Sequence, residues 1–384
     1  MLPDAESLYR AVQSRDRRFQ GRFVLGVTST GIYCRPGCPA RTPKRSNVRF
    51  FLSPAAAEVQ GFRACLRCRP DAALAQAAAQ GTGASVSRAL RLISAGALEE
   101  SGVDGLAAQL GLTSRHLRRL FDKHLGASPI EVAQTQRAHF ARKLLEETAL
   151  PMAQVALGSG YASLRRFNEA IRKSFGRTPT ELRRTGSARA EGEGALVLKL
   201  PFRPPFDWDS LIAFLAPRAI PGVEEATPEA YRRTAVVDGK PALLEVRPQP
   251  GQPFLSLRLQ SASPAGLLST VERVRRLFDL EADPSRIGAH LKKDAALKPL
   301  VAARPGLRVP GAWDPFELSV RAILGQQVTV KGATTLAARL VERFGTPLPS
   351  PSGGLTHLFP PAARLASADL TGIGLPKARA GAIR

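Results

Sequence analysis

Residues 30–41 read TGIYCRPGCPAR and residues 61–68 read GFRACLRC, and these two stretches decide how the first part of the chain folds. They hold all four cysteines of the chain, as a Cys-x3-Cys pair and a Cys-x2-Cys pair: Cys34, Cys38, Cys65 and Cys68. A separation of two or three residues lets both sulfurs of a pair reach one ion from a tight turn, and two pairs complete a tetrahedral Zn²⁺ site. Two disulfides are the alternative, which a reducing compartment disfavours. The spacing predicts a small zinc domain.

The residues around the cysteines are strongly basic. They include Arg35, Arg41, Lys44, Arg45, Arg49, Arg63, Arg67 and Arg69. A zinc site in so small a region can be a purely structural staple. The basic surroundings favour a further role, because they attract phosphate beside thiolates that zinc keeps ionised and potentially nucleophilic.

The two quoted stretches closely resemble the N-terminal domain of the Ada adaptive-response proteins, over about residues 1–75. The resemblance implies a zinc domain over residues 1–78 and an irreversible, single-turnover methyl transfer from a DNA methylphosphotriester to Cys34. It makes Cys38, Cys65 and Cys68 the other zinc ligands, and it places Thr30, Arg41 and Arg67 where the family contacts the phosphotriester. Methylation would remove one negative charge from the site, so the methylated protein is expected to bind DNA more tightly.

A helical pattern recurs at an offset of 50 residues. Leu117, Leu120, Phe121 and Leu125 have helical spacing, and so do Phe167, Ala170, Ile171 and Phe175. Each run begins at a hydroxyl N-cap, Thr113 or Ser163, and ends in Gly-x-Ser/Thr-Pro. A short helix precedes each run, and a longer helix over about 129–147 connects them. The pattern predicts two helix-turn-helix motifs.

This segment resembles an AraC-type DNA-binding domain over residues 84–184. Its two recognition helices would enter successive major grooves, about 34 Å apart. The side chains expected to face DNA are Arg115, His116 and Arg119 on the first helix and Ser163, Arg165 and Arg166 on the second. A solvated basic face is the alternative for any single one of them. Glu169 occupies the position matching Arg119, so the two half-sites should differ.

The second half of the chain follows a Gly-rich linker at residues 185–194. Residues 196–200 and 254–259 alternate in hydrophobicity like strands, and residues 211–215 and 271–278 look helical. An α+β domain over residues 195–308 fits this pattern. By itself the pattern suggests no chemistry.

Residues 204–208, 214–220, 303–311 and 316–328 resemble the AlkA alkyladenine DNA glycosylases, from about residue 195 onward. The resemblance implies a TBP-like α+β domain at 195–308 and part of an all-α helix-hairpin-helix glycosylase domain at 309–384. Gln327 falls where the family inserts a side chain into the gap left by a flipped base. A helix cap or an ordinary polar contact is the alternative for this residue.

The hairpin and the catalytic Asp of that family have no counterpart in the sequence given, and Asp369 is expected to be an ordinary loop residue. Base excision is therefore expected to be absent or severely weakened. Residues 310–384 are expected to pack loosely, with the apolar stripe of Val320, Ile323 and Leu324 unpaired.

Composition agrees with a polyanionic partner. The chain of 384 residues carries a net charge of +23, of which +15 lies in residues 1–184 and +8 in the remainder. Use of arginine for solubility alone is the alternative. No basic and apolar leader opens the chain and no segment approaches the ~18 apolar residues of a membrane span. A cytoplasmic, nucleoid-associated location is expected.

Together these features predict a multidomain α+β protein of DNA alkylation repair and response. Its cofactor would be Zn²⁺, and its partners would be double-stranded DNA, both alkylated and promoter, and RNA polymerase, without a membrane. Two alternatives remain. One is a zinc-containing transcription factor in which Cys34 is only a ligand, and the other is a 3-methyladenine glycosylase if the sequence is a fragment of a longer product.

Overall fold

The computed structural model describes residues 4–70, 83–184 and 195–384. The chain divides into two compact units, one of residues 1–189 with 265–272 and the other of residues 190–264 with 273–384. The linker expected at residues 185–194 lies outside the described residues. Among those that are described, no helix is both long enough and apolar enough to cross a bilayer.

A four-stranded sheet with the strand order β3-β1-β2-β4 organises the zinc region. Its elements are α1 (Ala5–Gln13), β1 (Val24–Val27), β2 (Ile32–Cys34), β3 (Val48–Phe51), α2 (Pro54–Val59) and β4 (Arg63–Ala64). β1 pairs antiparallel with β2 and β3, whereas β2 and β4 run parallel. Leu8, Val12 and Phe23 are buried in one cluster with the cysteines, so the same core supports both sheet and metal ligands.

The helical region contains the predicted repeat. Its helices are α3 (Ala84–Ser94), α4 (Ala97–Gln109), α5 (Ser114–Leu125), α6 (Pro129–Glu147), α7 (Met152–Gly158), α8 (Leu164–Phe175) and α9 (Pro179–Arg184). Thr113 and Ser163 cap α5 and α8 through their hydroxyls, and Gly126 and Gly176 end them with φ of 66° each. A positive φ suits glycine at this position. The double helix-turn-helix prediction is confirmed.

The second unit is built on an antiparallel sheet of five strands in the order β5-β9-β8-β7-β6. The strands are β5 (Leu196–Pro201), β6 (Glu224–Ala226), β7 (Tyr231–Val237), β8 (Lys240–Pro248) and β9 (Phe254–Ser261). The helices of this part are α10 (Trp208–Leu215), α11 (Leu267–Leu277), α12 (Pro284–Leu291) and α13 (Leu297–Ala303). The α+β expectation is thereby confirmed.

The last part of the chain is mainly helical. It contains α14 (Pro315–Leu324), α15 (Val330–Phe344), β10 (Thr346–Ser352), β11 (Leu355–Leu358), α16 (Ala362–Ala366) and α17 (Lys377–Ile383). The two-stranded hairpin of β10 and β11 departs from the all-α domain expected here. The expected unpaired stripe is wrong, because Val320 and Leu324 are buried with Leu340, Leu365 and Ile383, and Ile323 packs against them. Short helices at the end of the chain cover this face.

Candidate metal centre and nucleic-acid interface

Parallel pairing of β2 with β4 brings the two cysteine pairs together. Tyr33 pairs with Ala64, and the N–H of Cys65 donates to the carbonyl of Tyr33 at 3.0 Å. Each pair is closed by a turn, in which Cys38 N–H donates to the Arg35 carbonyl and Arg69 N–H to the Cys65 carbonyl, both at 3.1 Å. The four Sγ atoms therefore lie within 4.8 Å of one another.

This geometry fits zinc. Four sulfurs about 2.3 Å from a tetrahedral Zn²⁺ are about 3.8 Å apart, and all four cysteines are free of disulfides. Hydrogen bonds with the other sulfurs, first with Cys38, raise the pKa of the Cys34 thiol, and its burial raises it further. The hydrogen bond with Cys34 is the main cause that lowers the pKa of Cys38, to about 7. A dication held by the four sulfurs would allow these crowded thiols to ionise together, and the four-sulfur geometry confirms the zinc prediction.

Backbone amides support the sulfurs from outside the cluster. N–H groups of Ala40, Cys68 and Arg35 donate to the sulfurs of Cys38, Cys65 and Cys68, and each of these bonds favours the thiolate. Cys34 is 7% exposed, and Cys38 is the more exposed member of its pair.

The three residues expected to contact the phosphotriester are all exposed. Arg67 lies in the turn between Cys65 and Cys68, and Arg41 follows Cys38 by three residues. Thr30 lies in the turn from β1 to β2, where its hydroxyl donates to the Val27 carbonyl at 3.3 Å. Their contacts with DNA stay predictions.

Side chains expected to contact DNA are presented along α5 and α8. Arg115, Arg119, Arg165 and Arg166 are exposed and His116 is partly exposed. Leu117 and Phe167, on the opposite faces, are fully buried. Nδ1 of His116 and Nη2 of Arg119 are 3.4 Å apart, so these two side chains form one group.

Ser163 caps α8 in addition to its predicted contact with DNA. Its hydroxyl is exposed and accepts the N–H of Arg166 at 3.3 Å as the N-cap of α8. Nearby, Arg165 shares a shallow groove with Asn168, Glu169 and Arg172. Two arginines, one asparagine and one glutamate line this groove.

Gln327 lies in the loop between α14 and α15. It is exposed and has φ of 55°, a left-handed conformation that non-glycine residues rarely adopt. Asp369, by contrast, accepts the N–H of Thr371 at 3.1 Å and its hydroxyl at 2.6 Å, which confirms its assignment to an ordinary loop.

Sequence reasoning missed a polar cluster between the zinc region and the helices. We call it the Glu58 cluster; its members are Tyr33, Glu58, Thr135, His139 and Ser174. The hydroxyl of Tyr33 donates to Glu58 Oε1 at 2.8 Å, and Nε2 of His139 lies 3.1 Å from the same oxygen. Thr135 and Ser174 each donate to Glu58 Oε2 at 3.1 Å. No motif connects these positions in the sequence, although Tyr33 directly precedes Cys34.

The electrostatics of Glu58 follow from these contacts. Burial alone would raise the pKa of its carboxyl group. Hydrogen bonds from His139, Tyr33 and Ser174, together with the charge interaction with His139, outweigh burial and hold the pKa below its ordinary value. Glu58 is therefore an ionised hydrogen-bond acceptor between the zinc region and the helices.

Three family models match the chain. They are the metal binding domain of Ada at residues 7–71, a helix-turn-helix domain at 106–185 and the AlkA N-terminal domain at 197–314. A probable bifunctional transcriptional activator/DNA repair enzyme AlkA from Mycobacterium tuberculosis is 43% identical over 99% of this chain and 77% of its own length. The chain belongs to this AlkA-type bifunctional family.

Each of two other relatives matches about half of this AlkA-type bifunctional protein. The DNA-3-methyladenine glycosylase 2 of Escherichia coli is 36% identical over 48% of this chain and 64% of its own length. The bifunctional transcriptional activator/DNA repair enzyme Ada of Escherichia coli is 32% identical over 46% of this chain and 49% of its own length. The resemblances to Ada, AraC-type and AlkA domains are thereby confirmed. The domain boundaries expected from the sequence stay predictions.

Proposed function

We propose that this chain is a single-turnover methyl acceptor that repairs DNA methylphosphotriesters at Cys34 and binds promoter DNA through α5 and α8. The observation that carries the proposal is the closed four-sulfur cluster, set among exposed arginines on the strand-end turns. A methyl phosphotriester has lost its charge, so an electron-rich sulfur can approach it where an ordinary phosphate is repelled.

The transfer is a displacement at the methyl carbon. Bound zinc keeps the sulfurs deprotonated at neutral pH. The sulfur of Cys34 attacks the methyl carbon, the S–C bond forms, and the C–O bond breaks so that its electron pair restores the phosphodiester anion. In this proposal Arg41 and Arg67, both exposed, hold the flanking phosphates and stabilise the anion as it forms. The thioether product is stable, which makes the reaction stoichiometric.

Methylation also changes how the protein binds DNA. The loss of one negative charge from the cysteine cluster reduces repulsion of neighbouring phosphates, so affinity for DNA rises after repair. With two recognition helices in the same unit, this gain becomes a transcriptional signal. Contact with RNA polymerase stays a prediction from the family resemblance.

The test is to incubate the full chain with a duplex that carries one methylphosphotriester and to locate the methyl group by fragment-ion mass spectrometry. We expect one methyl per chain, on Cys34. Methylation of Cys38, the more exposed member of its pair, would reassign the acceptor. An unmodified chain that retains its zinc would support the alternative in which the site is only structural.

For the AlkA-type region we propose DNA contact through the loop of Gln327. Gln327 is exposed and has a left-handed backbone in the loop between α14 and α15. Gln327→Ala should lower affinity for a duplex with an abasic site, and leave affinity for intact duplex unchanged, in a fluorescence titration. Equal losses on both duplexes would contradict insertion. The expectation that base excision is weak stays a prediction, tested by release of 3-methyladenine from alkylated DNA.

A further inference from the structure

Helix α2 of the zinc region contacts the C-terminal ends of both predicted recognition helices. At α5, the Ser53 hydroxyl donates to the Leu125 carbonyl at 2.6 Å, and Ala56 lies against Gly126. At α8, Ser174 donates to Glu58. One short helix of the zinc region, together with its N-cap, therefore contacts the ends of both predicted recognition helices.

The two contacts differ in kind. Ser53 bonds a backbone carbonyl, whereas Glu58 gathers donors from three elements onto one carboxylate: Tyr33 from β2, Thr135 and His139 from α6, and Ser174 from α8. The Glu58 side chain is only 13% exposed, and so largely buried a carboxylate is costly unless its donors are in place. All the hydrogen bonds to Glu58 can form together only when β2, α6 and α8 keep the relative positions that they have in this structure.

The cluster also adjoins the acceptor. Successive side chains of a strand point to opposite faces, so Tyr33 faces the Glu58 cluster while Cys34 faces the sulfurs. Tyr33 is fully buried. A salt bridge also links the cysteine turn to α6. Arg69, next to Cys68, pairs with Glu146 of α6 at 3.2 Å.

We propose that Glu58 is a positioning residue that holds α8 in register with the strand of Cys34, so that methylation at Cys34 strengthens binding at the α8 half-site. The inference rests on the proposed function, with Cys34 as acceptor and α8 as a recognition helix. Loss of the Glu58 bonds leaves the cysteine cluster intact and frees the end of α8. The methyl group is then accepted as before, but its effect on DNA affinity is reduced.

Three full-length variants test the proposal. Ser174→Ala removes one donor and leaves the zinc region unchanged, and Glu58→Gln removes the anion. Glu131→Gln is the control, because Glu131 lies on α6 and caps its own helix through Ser128. The probe is a duplex of about 30 base pairs, enough for two successive grooves, selected by the wild-type chain from a random pool.

Two measurements are made on each variant. Amide exchange of residues 164–175 should be about tenfold faster in Ser174→Ala, and faster still in Glu58→Gln, while residues 114–125 are unchanged. The ratio of dissociation constants before and after methylation by a methylphosphotriester duplex should fall at least about threefold in both variants and stay at the wild-type value in Glu131→Gln.

An unchanged ratio in Ser174→Ala despite faster exchange in α8 would overturn the proposal, as would unchanged exchange. If Glu58→Gln fails to fold, Ser174→Ala decides alone. If the wild-type chain accepts no methyl group, the proposed function fails, and the coupling of methylation to α8 is overturned with it. Normal methyl transfer with an unchanged affinity ratio would instead overturn the coupling and leave the proposed function standing.

Discussion

Arg67 lies in the turn that closes the second cysteine pair, and its side chain is exposed. If it holds a phosphate next to the methylated one, Arg67→Ala should slow methyl transfer about tenfold and lower the salt slope of DNA binding by about 0.9. The zinc content should stay the same. Arg49→Ala is a matched control, because Arg49 is exposed on β3, at the sheet edge opposite β4. Equal effects of the two changes would contradict a specific role for Arg67.

Individual residues differ in how far the sequence predicted them. The four cysteines were predictable because two short spacings restrict what their sulfurs can do together. Glu58 was not, because its partners Thr135 and Ser174 lie 77 and 116 positions away along the chain. No local pattern distinguishes a glutamate with such partners from an ordinary surface glutamate.

At the scale of one helix, substitutions of Ser163 distinguish helix capping from DNA contact. Ser163→Ala removes the N-cap of α8 and should cost about 1 kcal/mol, seen as faster amide exchange at residues 164–175. Ser163→Asp keeps a capping oxygen and suits the positive end of the helix dipole, so exchange should stay slow. Its charge repels phosphate, and DNA affinity should fall about tenfold.

Ser163→Thr is the conservative control, since it keeps the hydroxyl and adds no charge. Both exchange and affinity should remain close to the wild-type values. Undiminished affinity in Ser163→Asp would place this helix start away from the DNA backbone.

Among the elements, the helices of the repeat were predictable, because caps, apolar spacing and terminal glycines agree at both copies. The hairpin of β10 and β11 was not. β10 contains Pro347, Pro349 and Pro351, which remove backbone donors and normally argue against a strand. In the structure β10 pairs with β11 in a two-stranded sheet, an arrangement that tolerates proline.

At the scale of the whole chain, the order of domain types followed from the sequence, but the interfaces that join them did not. Contacts such as Ser53 with Leu125 depend on side chains meeting after each region has folded. The second unit contains a comparable joint, by which we mean the contacts that connect β6, β7 and α14 at Glu224. Glu224 of β6 is buried and receives the Tyr231 hydroxyl at 2.5 Å and the Arg233 guanidinium at 3.3 Å from β7, as well as Arg321 from α14.

This joint makes the second unit sensitive to acid. Burial would raise the pKa of Glu224, but the charges of Arg321 and Arg233 outweigh it and lower the pKa. Because the folded pKa lies below the unfolded value of about 4.3, ionised Glu224 stabilises the fold above that pH. The stabilisation is lost as the pH falls through the folded pKa.

Amide exchange of residues 315–324, corrected for its intrinsic pH dependence, should therefore accelerate below about pH 4. Glu224→Gln should weaken this joint by about 3 kcal/mol at pH 7 and abolish the acid dependence, because the buried Arg233 and the partly exposed Arg321 lose the anion they share. Glu229→Gln is the control, since Glu229 is exposed between β6 and β7 and should leave both properties unchanged. If Glu224→Gln kept the acid dependence of the wild-type chain, another carboxylate would control this joint, and Glu317, which pairs with Arg233 at 2.8 Å, would be the next to replace.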